Sequence, residues 1–142
     1  MSRSEPHGET TAAGAARGAV ERQRRWMAKF RHAFRGIKRG MRGQSSFAVH
    51  LFAATAVVAA GWALEVTRLD WCLLLAAIGG VLTAEMFNSA LEALARNVTR
   101  EEDPAVADAL DIGSGAVLLA ALTAAALGVL VLLPRLVLLF GG

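Results

Sequence analysis

One cysteine and three histidines in 142 residues leave little room for cross-linking or for a zinc centre. Cys72 has no second thiol to pair with, and its place at the start of an apolar run reads as a small buried residue. His7, His32 and His50 are too scattered to share a metal. The first residues lack the charged-then-apolar pattern of a secretory leader. No GxxxxGK[ST] loop occurs, nor the HRD and DFG patterns of protein kinases, so a nucleotide site would have to be built in another way. Charge is also scarce. Charged residues make up 19% of the chain against 55% hydrophobic ones, and mean hydropathy is +0.45. That balance is too apolar for an ordinary soluble domain of this size.

What charge there is lies in two places. Most basic residues precede position 43, and most of the remaining charges fall between Arg96 and Asp111. Residues 1–19, rich in Gly, Ala, Ser, Thr and Glu, read as a disordered tail. Residues 20–142 form one membrane domain. In residues 20–43, Trp26, Phe30, Phe34, Ile37 and Met41 recur at steps of three or four among Arg22, Arg24, Arg25, Lys29, Arg31, Arg35, Lys38, Arg39 and Arg42. A basic helix with an aromatic face suits an anionic membrane surface, where each cation contributes roughly 1 kcal/mol. Nucleic acid is not the expected partner, because the segments that follow are membrane-embedded.

Three apolar runs come next, with expected spans at about 47–64, 71–97 and 105–133. The polar turn Glu65–Asp70, flanked by Trp62 and Trp71, separates the first two, and His50 is expected at interface depth. Asp103 reads as the N-cap and Pro104 as the first-turn residue of the third helix, whose apolar run is interrupted at Pro134, either ending the span near Leu133 or kinking a longer helix. The fold class is therefore all-α: three transmembrane helices preceded by an amphipathic surface helix. The basic leader places the N-terminus, and with it the Arg96–Asp111 loop, in the cytoplasm.

The organising stretch is Thr83–Arg96, TAEMFNSALEALAR. Glu85, Asn88 and Glu92 stand at i, i+3 and i+7, on one helical face. Carboxylates in a spanning helix are costly and turn toward a bundle interior or a wet site. Glu85, the deeper of the two, suits a proton acceptor. Glu92, nearer the cytosol, suits a hard cation such as Mg²⁺. Asn88 between them can orient a hydroxyl or a phosphate oxygen. Phosphoryl transfer to a buried alcohol needs little more. The competing reading is interhelical glue in a structural or transport subunit.

Four segments together resemble the small bacterial membrane kinases, the diacylglycerol kinase and undecaprenol kinase family. They are AFRG (Ala33–Gly36), FAVH (Phe47–His50), AEMFNSALEAL (Ala84–Leu94) and DIGSGAVLLAAL (Asp111–Leu122). The resemblance runs from about Arg25 to Leu133. It implies a homotrimer in the bacterial inner (cytoplasmic) membrane, with ATP and Mg²⁺ as cofactors and a lipid alcohol of phospholipid metabolism as substrate. It implies Glu85 as catalytic base, with Asn88 in the active site and Glu92 on metal and nucleotide. Asp111 and Arg25 fall where the family contacts nucleotide. The family's second metal-binding glutamate is Gln44 here, and the lysine before its loop aspartate is Leu110. An aspartate of the family is Arg96, and a tyrosine–histidine pair is Glu102–Asp103. Gln44 keeps an oxygen for metal and nucleotide but loses the charge, and Glu101 and Asp103 offer carboxylates from a new direction. These departures also admit a member that holds lipid without transferring phosphate.

Overall fold

The computed structural model describes residues 8–41, 45–98 and 103–141, and all of its regular structure is helical. The chain divides into two units, Met1–Arg39 and Gly40–Gly142. The first is essentially helix α1, Gly8–Gly40. It begins inside the stretch read above as a tail, and the alanines of TTAAGAARGA, the best helix formers, account for that local preference. Farther along, Trp26, Phe30, Phe34 and Ile37 are all exposed, with Trp26 and Phe30 in ring contact at 6.3 Å and Lys29 Nζ 5.2 Å from the Trp26 centroid.

The second unit holds α2 (Ser45–Ala63), α3 (Arg68–Val98) and α4 (Pro104–Phe140). All three are long and apolar enough to cross a membrane. The closest packing is α3 on α4, with α2 against α3 and more lightly against α4. Leu74, Val81, Glu85 and Asn88 form the buried face of α3, at helical steps of seven, four and three. Large side chains such as Phe52, Phe87 and Leu130 point outward, as they do where acyl chains are the solvent. Cys72 is exposed as well, not buried as its composition class suggests, because it falls on that outward face.

The helix ends are built from local chemistry. α2 closes with a Schellman motif: the Val66 N–H donates to the Gly61 carbonyl and the Glu65 N–H to that of Trp62, with Glu65 at φ 50°. Thr67 and Asp70 then form a reciprocal cap. The Thr67 N–H and hydroxyl both donate to Asp70 Oδ2, and the Asp70 N–H donates to Thr67 Oγ1. This cap starts α3 at Arg68, so the polar turn is shorter than the sequence reading and Asp70 lies in the first helical turn. Asp103 caps α4 by accepting the Ala105 N–H at 2.9 Å, and Pro104 follows it, as expected.

α4 differs from expectation at its far end. It does not stop at Leu133 but runs through Pro134 to Phe140. Spanning helices tolerate proline where neighbouring groups satisfy the local backbone. Arg135 ties this extension to α3: its Nη2 donates to Asp70 Oδ2 at 3.1 Å.

Candidate active site

At 31 residues, α3 is about 46 Å long, well beyond a hydrocarbon core of about 30 Å. Its C-terminal turns therefore carry polar side chains out of the apolar layer along one face. Glu85 is the deepest of these and is 1% exposed. Its Oε1 lies 3.1 Å from His50 Nε2 on α2, while its Oε2 is buried with no hydrogen-bond partner. One turn on, Asn88 is buried, and its Nδ2 donates to Glu92 Oε1 at 2.9 Å. Its Oδ1 is the other partnerless buried oxygen among the described residues. Glu92 is partly exposed, and its Oε2 lies 3.6 Å from Arg96 Nη1. Deeply buried polar groups thus give way to a partly exposed ion pair at the rim.

α4 closes the other side of this face. A Cβ built on Gly113 would stand 2.7 Å from Asn88 Oδ1 and 3.1 Å from Leu91 Cδ1. The glycine is what lets the two helices approach here. Beyond His50, an apolar groove of about 770 Å³ runs between α2, α3 and α4, lined by residues such as Val57, Leu74, Val81, Ala125 and Leu132. His50 is the polar residue of that lining, so the groove touches the histidine of the His50–Glu85 pair.

The structure brings Glu85, Asn88 and Glu92 together on one face, with His50 added to them. Asp111 is exposed on α4, between the more inward Leu110 and Gly113. Asp103 is exposed and engaged in its cap. Arg25 is exposed on α1, in the other unit. Gln44 and Glu101 lie outside the described residues. Among the described residues no three His, Cys, Asp or Glu side chains converge on a point that could hold a metal. The residue that sequence reasoning undervalued is His50. Its signals are a histidine inside an apolar run and a place in the family-like FAVH segment, and neither shows which carboxylate it meets.

The model of the prokaryotic diacylglycerol kinase family matches residues 31–132, well over half of the chain. The chain belongs to this family. It is 33% identical over 112 residues to an undecaprenol kinase of Bacillus subtilis (strain 168), covering 79% of this chain and 91% of that one. To a diacylglycerol kinase of Synechocystis sp. it is 32% identical over 111 residues, 78% of this chain and 63% of the relative. As a membrane protein of a lipid kinase family, the chain has a polar face whose deep carboxylate and apolar groove fit together. The family match takes in Gln44, Glu85, Asn88, Glu92, Glu101, Asp103 and Asp111, and it begins after Arg25.

Proposed function

We propose that this kinase-family chain transfers the γ-phosphoryl group of ATP to a membrane lipid alcohol, diacylglycerol or undecaprenol, with Glu85 as general base. The observation that carries the reading is the buried, partnerless Oε2 of Glu85, whose other oxygen meets His50, the polar residue lining an apolar groove. The lipid hydroxyl gives its proton to that oxygen. The alcohol oxygen bonds to the γ-phosphorus as the bond to the β-bridging oxygen breaks, and ADP leaves. A positioned base of this kind supplies about 10²–10⁴-fold.

Nucleotide belongs at the rim, near Glu92 and Arg96, with Asp111, Asp103, Glu101, Gln44 and Arg25 as further contacts by family resemblance. Mg²⁺ takes one or two carboxylates and fills its shell with phosphate oxygens and water, so the single carboxylate of the partly exposed Glu92 fits it. Bound there, the cation would neutralise charge on the β- and γ-phosphates. The basic residues ahead of α2 favour a cytoplasmic N-terminus in the inner membrane, on the side where ATP is. A homotrimer, the assembly the family resemblance implies, would cover part of the outward apolar surface.

The test is transfer of labelled γ-phosphate into the lipid phase by purified protein with Mg·ATP, offered diacylglycerol and undecaprenol in turn. Labelled lipid from either alcohol is expected. None from either sinks the kinase reading and favours a second one, a lipid-holding member that no longer transfers phosphate. Leu110, where the family has lysine, is the observation behind that alternative, together with Gln44. It predicts that Gln44→Glu with Leu110→Lys restores transfer to an inert parent.

A further inference from the structure

Glu85 is 1% exposed, and the structure provides a partner for only one of its two carboxyl oxygens. His50 Nε2 stands 3.1 Å from Oε1, and Oε2 is left with no donor. The neighbouring amide does not serve it. Asn88 Nδ2 is engaged by Glu92, and Asn88 Oδ1 lies against α4 at Gly113. The His50 contact also crosses between elements, joining α2 to α3, so it fixes the carboxyl against the bundle and not merely along its own helix. A carboxyl on a three-bond side chain has several staggered rotamers open to it. Anchoring one oxygen removes that freedom and leaves the other aimed at a single spot.

We infer that His50 is the positioning residue of the proton acceptor. Its Nε2–H donates to Glu85 Oε1 and so presents Oε2 to the hydroxyl of a lipid whose chain lies in the adjoining groove. The inference rests on the kinase reading but adds a residue and a role to it. An imidazole that meets a carboxylate through Nε2 carries its hydrogen there, and this fixes the tautomer. His50 contacts the carboxyl of Glu85. It acts through Glu85, and its loss should disorder the base without altering the rim where nucleotide binds. Orientation of this kind is what separates a nearby group from a productive one.

Two measurements on the full-length protein in detergent micelles test this. The first is ¹⁵N–¹H correlation of the histidine side chains, which does not depend on turnover. A protonated Nε2 is expected for His50, and Glu85→Gln should move its signal while leaving His32 in place. The second is lipid-kinase kinetics of His50→Leu and His50→Gln. Leucine keeps bulk and removes the donor, whereas glutamine returns an N–H at similar reach. His50→Leu should lower kcat by about 10–100-fold with KM for ATP within twofold of the parent, and His50→Gln should recover most of the loss. A His50 signal that ignores Glu85→Gln overturns the contact. Full activity in His50→Leu, or equal damage in both variants, overturns the positioning role. If the signal moves but the parent phosphorylates no lipid, the kinase reading falls and the pair survives only as a structural contact.

Discussion

Asn88 occupies the most constrained point of the site, with one end of its amide on Glu92 and the other pressed toward Gly113. A methyl at Gly113 would meet Oδ1 at 2.7 Å and Leu91 at 3.1 Å, and a buried amide has little room to retreat. Gly113→Ala should therefore cost about 1–3 kcal/mol in thermal unfolding and lower turnover as well. Gly115→Ala, two residues along the same helix with nothing within 4 Å of its added carbon, is the control and should be neutral or slightly stabilising. An equal loss at both glycines would mean that helix approach at Asn88 is not the cause. At the rim, Glu92→Gln keeps the size and removes the charge. It should raise the Mg²⁺ concentration needed for half-maximal activity several-fold, read in a Mg²⁺ titration at fixed ATP. Unchanged Mg²⁺ dependence would take Glu92 off the metal.

At the scale of elements, the link between α2 and α3 carries a conformational cost. Glu65 sits at φ 50°, a left-handed position that glycine adopts freely and other residues do not. Glu65→Gly should stabilise the bundle by about 1 kcal/mol, seen as a higher midpoint in thermal unfolding, and a lower one would contradict the Schellman assignment. Among the described residues, the end of α4 is held to α3 by the Arg135–Asp70 bond. Arg135→Gln should speed amide exchange in residues 136–140 while leaving the turns before Pro134 protected, because Arg135 to Asp70 is the cross-element bond that holds this end. The sequence shows the cap at Asp103 and the approximate spans, because caps and apolar runs are local. It does not show that α4 continues past Pro134. The rule that proline ends a helix comes from chains in water, and the anchoring partner Asp70 is 65 residues away.

For the molecule as a whole, hydropathy alone announces three membrane helices, and the i, i+3, i+7 pattern alone places Glu85, Asn88 and Glu92 on one face. Both are properties of single helices. The His50–Glu85 pair is a property of how α2 is set against α3, and periodicity within either helix does not contain it. The same holds for the groove, which exists only once three helices are assembled. What unites these features is a buried carboxyl with one oxygen held by the histidine that lines an apolar groove and the other without a partner. The most direct test is the rate of labelled phosphate transfer to lipid by Glu85→Gln beside the parent, both checked for equal helicity. The account predicts a fall of about 100-fold or more in a protein that remains folded. Equal lipid product from the two proteins would remove Glu85 from the chemistry and contradict the account at its centre.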